Sequence, residues 1–284
     1  LASGLDCVDA LCQAPDGSIY LCDSRLYRIY RWDPVSQTLA LLTSQHFQPL
    51  SLACDTQGRL LVVTEYQPVK GSTVDGVEEL STDEFGADTG GGCYYPFFSH
   101  DRRIRVCALD PRAPEASMEL LPTVPLEEAK PEVLYYPANQ WRDSGDMMRS
   151  FEKRDTYCYL APDGKTAIVH KPALARATGL TPLRPGKAAY LVDEYNKCIV
   201  QVQVEEGFVL SSPRVWAERG EYGFAMTESG EAYVPDCLLY VFRNGEKVDA
   251  IGLGDRPACV LEAGPDKEYL YITARRELYA LRLK

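Results

Sequence analysis

Residues 178–204, TGLTPLRPGKAAYLVDEYNKCIVQVQV, decide the fold. A short apolar lead at 178–181 is followed by a Pro/Gly turn over 182–187. Two strand-like segments come next, 188–193 and 197–204, joined through Glu194, Tyr195 and Asn196. In the second segment Cys198, Val200, Val202 and Val204 alternate with Ile199, Gln201 and Gln203. One apolar and one mostly polar side is the pattern of a strand buried on one face. Pro182, Pro185 and Gly186 are too costly inside a helix. The stretch is predicted to be an antiparallel strand pair led in by an inner strand.

Working outward, the same phrase recurs. A turn rich in Asp, Pro and Gly precedes a β-branched or aromatic run at 14–23, 55–65, 161–171, 184–194, 227–236 and 264–274. A second run follows several of these, at 26–34, 104–111, 198–207, 238–246 and 278–284. Dividing the 284 residues among six units gives about 47 each, the size of a four-stranded propeller blade. Such a small sheet cannot bury both faces alone, so the copies must stack radially. The sequence therefore predicts an all-β chain: a six-bladed β-propeller of four-stranded antiparallel blades, one domain over 1–284. Residues 1–5 are expected to pair beside the final strand and close the ring.

The spacing is uneven, and two insertions absorb the excess, at about 66–100 and 131–156. The first reads as an excursion from the second blade; the third blade is left short of an outer strand. The aromatic groups at 94–98 and 135–141 either stack on sugar rings or form the cores of these insertions.

With 45% hydrophobic and 25% charged residues, a full core is expected and disorder is not. The net charge of −11 repels phosphate backbones, and the basic runs at 101–105 and 275–276 read as solvated strand starts. Nucleic acid is thus excluded as a partner. No apolar run reaches the roughly 18–20 residues of a membrane span. A cytoplasmic monomer is expected, with secretion the alternative if a leader has been removed ahead of Leu1.

The ten cysteines show neither C-x-x-C nor Cys/His ligand spacing. Cys12, Cys22, Cys54, Cys107, Cys158, Cys198, Cys237 and Cys259 fall mostly in predicted strands. They read as small reduced core residues, with scattered disulfides or a reactive thiol as the alternatives.

The three histidines, His46, His100 and His170, are too scattered for a three-His zinc site. No G-x-S-x-G elbow, P-loop or dinucleotide fingerprint occurs, and Ser144 has carboxylates nearby but no paired His. Gly90–Gly92 reads as a hinge. His100 ends the first insertion and is either an acid/base carried on a lid or an ordinary loop histidine. Asp23, Glu65, Asp193, Glu194 and Asp236 stand at strand ends. They either converge on one face of the propeller or cap their own turns.

Several phrases resemble one family. RIYRWDP, TGL…PGKAAYLVDEYNKCIVQVQV, YGFAMTESGEAYVPD…LLYVF and RPACVLEAGPDKEYLYITARRELYALRL are similar to the regucalcin, gluconolactonase and luciferin-regenerating group of six-bladed propellers. The resemblance implies a lactonase-type hydrolase holding one divalent cation, Ca²⁺ or Zn²⁺, at the mouth of a central channel. There the ion polarises a lactone carbonyl or activates water.

That family holds its cation with a Glu, an Asn and an Asp on the innermost strands of three blades. The Glu carries over onto Asp9, the Asn onto Thr178 and the Asp onto Tyr222, while a further Asn falls near Leu50. The resemblance thus implies Asp9 and Thr178 as metal ligands and Asp9 and Tyr222 as catalytic groups. Thr178, Tyr222 and His100 would bind substrate. One charge survives, because a hydroxyl and a phenol replace an amide and a carboxylate, and both are poor Ca²⁺ donors. A Tyr near its ordinary pKa of about 10 is a weak base at neutral pH. The expected function is a gluconolactonase-like hydrolase of a sugar lactone or related small ester. The alternative is a non-catalytic propeller that binds a small molecule or carbohydrate and has lost the metal site.

Overall fold

A computed structural model of the chain describes residues 1–44, 48–55, 57–66, 73–74, 77–78, 103–125, 157–160, 164–170, 177–181, 184–193, 196–206, 209–220, 223–227 and 229–283. For some strand residues, Asp9, Leu50 and Thr178 among them, it describes the backbone alone. His46, His100, Ser144, Tyr222 and the insertion at 131–156 lie outside the described residues.

The first blade is the meander β1 (Val8–Gln13), β2 (Ile19–Asp23), β3 (Arg28–Asp33) and β4 (Thr38–Ser44). The next begins with β5 (Gln48–Cys54) and β6 (Leu60–Tyr66). A two-stranded ribbon, β7 (Thr73–Val74) and β8 (Val77–Glu78), precedes its third strand β9 (Arg103–Leu109). A single helical turn, α1 (Pro114–Ser117), leads to its edge strand β10 (Glu119–Leu120). β9 pairs antiparallel with β6, so the chain on either side of the first insertion belongs to the second blade.

The quoted stretch forms β14 (Ala177–Leu180), β15 (Ala188–Asp193) and β16 (Cys198–Val204), with β17 (Leu210–Ala217) outside them. Another blade consists of β18 (Ala225–Met226), β19 (Glu231–Pro235), β20 (Leu239–Arg243) and β21 (Glu246–Ile251). The last has β22 (Pro257–Ala263), β23 (Tyr269–Ala274) and β24 (Glu277–Arg282).

Among the described residues these make five antiparallel blades of three or four strands, where six of four were expected. The segment expected to supply the third blade forms a different sheet. There β11 (Thr123–Pro125) runs parallel to β13 (Ala167–His170), which pairs antiparallel with β12 (Tyr157–Leu160). A parallel pair needs a long crossover rather than a tight turn. Arg59 ties this sheet to the second blade, pairing with Asp55 at 2.7 Å and donating from Nη2 to the Gly164 carbonyl at 2.5 Å.

The blades stack face to face through separate apolar layers. Val192, Ile199 and Ala217 of one blade meet Ala232, Val234 and Phe242 of the next. Tyr233 and Val241 on that blade's other side meet Val260, Leu270 and Ile272. Ala263, Tyr271 and Leu278 pack on Leu11, Leu21 and Trp32, and Tyr20 and Cys22 pack on Leu60 and Val62. This radial stacking is the propeller arrangement.

It also corrects one reading. In β16 every residue but Gln203 is buried, so the strand is covered on both faces rather than one. Gln201 is satisfied inside the layer, donating to Tyr190 Oη at 2.8 Å and accepting from Arg214 Nε at 2.6 Å. The alternation reads as polar because a buried amide with both ends paired costs little.

The ring closes as expected. Ala2 forms an antiparallel bridge with Leu278, adding the start of the chain beside the three-stranded last blade.

Candidate functional site

The blades' first strands, β1, β5, β14 and β22, begin at the same end of the propeller. In each, the first residues lie beside the end of the second strand: Val8 opposite Asp23, Gln48 opposite Glu65, Ala177 opposite Asp193 and Pro257 opposite Ala274. At that end all four strands break register. The slips fall between Val8 and Ala10, Pro49 and Ser51, Thr178 and Leu180, and Pro257 and Cys259. The residue at each slip is Asp9, Leu50, Gly179 and Ala258 in turn. A bulge bends its strand and re-aims the extra residue, and bulges gather beside active sites.

Three sequence-derived positions lie at or beside these slips, each within its own blade. Asp9 and Leu50 are themselves bulge residues, and Thr178 immediately precedes one while pairing with Val192. Asp9 and Thr178 thus stand one step apart along equivalent strands. Tyr222 lies in the connection ahead of β18, outside the described residues, as does His100. The repeated register slip is a feature the sequence reading missed. Gly179 and Pro49 are the sequence signals nearest to it, since Gly and Pro in strands mark bulges and strand edges.

Three of the strand-end carboxylates have partners close by. Asp23, 0% exposed, accepts from the backbone N–H of Asp6 at 2.8 Å and of Leu26 at 3.0 Å. Asp193 accepts from the backbone N–H and side-chain amide of Asn196, at 3.0 and 2.7 Å. Asp236 pairs with Arg219 at 2.5 Å and Arg256 at 3.6 Å. Of the two readings, capping and local pairing hold for these three; the side chains of Glu65 and Glu194 lie outside the described residues.

Below the bulges the innermost strands carry small and apolar groups: Ala10, Leu11 and Cys12 on β1, Leu52 and Ala53 on β5, Val260 on β22. Burial sets their ionisation. It pushes the Cys12 thiol well up and the Cys107 thiol to about 11, so both are neutral at ordinary pH. The eight cysteines whose side chains are described are not disulfide-bonded. Cys12, Cys22, Cys107 and Cys198 are core residues as expected, whereas Cys237 is exposed in the turn between β19 and β20.

No protein-family model matches this sequence, and no curated protein does. Solved structures do. The chain superposes on a gluconolactonase from Xanthomonas campestris with a TM-score of 0.63 at 16% identity, covering 99% of this chain and 87% of that one. The fold is that of the gluconolactonase and regucalcin propellers. A luciferin-regenerating enzyme gives a TM-score of 0.56 at 14% identity, covering 96% of this chain and 85% of its own. Regucalcin from Agrobacterium tumefaciens, described as a calcium-binding protein, gives 0.55 at 12% identity, covering 96% and 83%.

The residues at the bulge ring do not fit the hard cation that this fold accommodates elsewhere. Ca²⁺ takes six to eight oxygens, anionic ones dominating. Here two of the four bulge positions, Leu50 and Ala258, have no side-chain donor, and Gly179 has no side chain. Among the described residues no group of three or more His, Cys, Asp or Glu side chains could hold a metal ion.

Proposed function

We propose that the chain is a gluconolactonase-like hydrolase that takes a sugar lactone or related small ester at the mouth of its central channel. The mixed sheet of β11–β13 supplies the sixth blade. The observation that carries the reading is the ring of register slips, with Asp9 at the slip of β1. A carboxylate residue at a bulge of a first strand supports this reading, because bulges gather beside active sites.

In this reading Asp9 is the general base. It takes a proton from water as the water oxygen bonds to the lactone carbonyl carbon. The Tyr222 phenol donates a hydrogen bond to the carbonyl oxygen as charge develops there. When the ring C–O bond breaks, the proton held by Asp9 passes to the leaving alkoxide. Thr178 and His100 hold sugar hydroxyls. Asp9 and Thr178, the ligands expected for Ca²⁺ or Zn²⁺, offer one charge and one neutral hydroxyl, and no step depends on such an ion.

The test is hydrolysis of a panel of five- and six-membered sugar lactones, followed by acid release, for the native protein and for Asp9→Asn. Turnover reduced about 100-fold or more in Asp9→Asn supports the assignment, on the scale typical of a lost general base. Equal turnover by the two proteins removes Asp9 from the chemistry.

A second reading is favoured by Leu50 and Ala258 at two bulges. It is a propeller that binds a sugar acid or carbohydrate without transforming it. It predicts thermal shifts with these ligands and no turnover of any lactone.

A further inference from the structure

The first strands of two neighbouring blades bring a pair of thiols together. Cys12 Sγ on β1 and Cys54 Sγ on β5 are 3.7 Å apart, although the residues are 42 positions apart in the chain. No turn forces this meeting. It is set by the packing of one blade on the next, in the layer that also holds Ala10, Tyr20, Leu52 and Leu60.

The two thiols differ in surroundings. Cys12 is 7% exposed within that layer, while Cys54 is half-buried at its edge. Burial, and then the neighbouring Cys54 thiol, keep the Cys12 proton in place. Cys22, from β2, turns its sulfur instead to the Pro49 carbonyl at 3.7 Å.

We propose that Cys12 and Cys54 are an oxidation site, at which a peroxide converts the thiol pair into a disulfide tying β1 to β5. Cys54, on the solvent side, reacts first. Its thiolate attacks one peroxide oxygen; the S–O bond forms as the O–O bond breaks, and the departing hydroxide is protonated to water. The Cys12 sulfur then displaces the hydroxyl of the Cys54 sulfenic acid. The S–S bond forms as the S–O bond breaks, and the Cys12 proton leaves with the hydroxide as water. The thiol pair gives up two electrons and the peroxide accepts them.

Reaching disulfide length closes the sulfurs by about 1.7 Å, a distance that small side-chain rotations cover. A thiol on an edge, backed by a second thiol in van der Waals contact, also spares the first from further oxidation, because the sulfenic acid is captured before more peroxide arrives. The bond would join the two strands that carry Asp9 and Leu50 at their bulges, fixing adjacent walls of the channel.

The experiment treats the native, reduced protein with hydrogen peroxide and maps its peptides by mass spectrometry without reductant. The expected result is a peptide pair joined through Cys12 and Cys54, two hydrogens lighter than the free thiols and separated by dithiothreitol. The oxidised protein should also melt at a higher temperature than the reduced one. Cys54→Ser and Cys12→Ala should each lose the crosslink and the shift, and Cys237→Ser should keep both. Sulfinic Cys54 beside a free Cys12 thiol in the folded wild type overturns the proposal. So does a crosslink that forms only after unfolding in urea, or one that joins Cys12 to Cys22 instead. The wild-type map decides the matter even where a variant fails to fold.

Discussion

Ala2 and Leu278 exchange backbone hydrogen bonds, Leu278 N–H donating at 2.9 Å and Ala2 N–H at 3.3 Å, so the start of the chain is tied to the last strand. A propeller held shut this way loses a blade's edge when the contact is lost. Leu278 is 0% exposed, in the same layer as Leu5, Leu11 and Trp32. Leu278→Ala should therefore cost about 2–5 kcal/mol in urea denaturation, the range for a buried leucine. Val35→Ala, at 94% exposure, should stay within about 0.5 kcal/mol of wild type.

The buried amide of Gln201 bridges Tyr190 and Arg214 across three neighbouring strands of one blade. Gln201→Ala removes both hydrogen bonds, leaves the half-buried Tyr190 hydroxyl without the amide, and should cost about 1–3 kcal/mol. A double-mutant cycle with Tyr190→Phe should show non-additivity, because the second change removes a group the first has already left unpaired. Strict additivity would mean that the two side chains act independently.

Tyr20 should make the fold sensitive to alkali. Burial, the largest cause, pushes its phenol up to about 12, with Arg31 pulling the other way. The folded state thus holds the phenol proton more tightly than the unfolded chain, whose value is about 10. The stabilisation is whole below pH about 10 and is lost as the pH rises through about 12. Ultraviolet titration should show this phenol ionising late, together with unfolding, and Tyr20→Phe should flatten that part of the stability curve.

The turn Asn244–Gly245 joins β20 to β21, with both residues in the left-handed region at φ 52° and 84°. This is the geometry of the tightest hairpins. A Cβ on Gly245 would also run into the Trp216 carbonyl of the neighbouring blade. Gly245→Ala should destabilise by more than about 1 kcal/mol, while Gly230→Ala, with open space around it, should cost less. Thermal melts of the two variants side by side check the ordering.

Much of this molecule could be read from the chain alone. The strands at 188–193 and 198–204 lie where the Pro/Gly turn and the alternation put them, and the closing strand contact follows from the need to seal a ring. These are local matters: turn chemistry and period two act over a few residues. The site was legible only as positions. The family resemblance implies Asp9, Leu50 and Thr178, but nothing in the sequence reveals a slipped register, because a bulge is a property of two paired strands.

The remaining differences have the same origin. Gln201 and Gln203 look alike in sequence, yet one is buried and the other exposed. Cys12 and Cys54 look like two of ten scattered thiols until β5 packs beside β1. The chain by itself determined that it would fold into short antiparallel sheets, since turn residues and strand periodicity act on near neighbours. Only the tertiary structure decided which residues meet across blades, because those contacts depend on radial stacking of segments that the sequence keeps far apart.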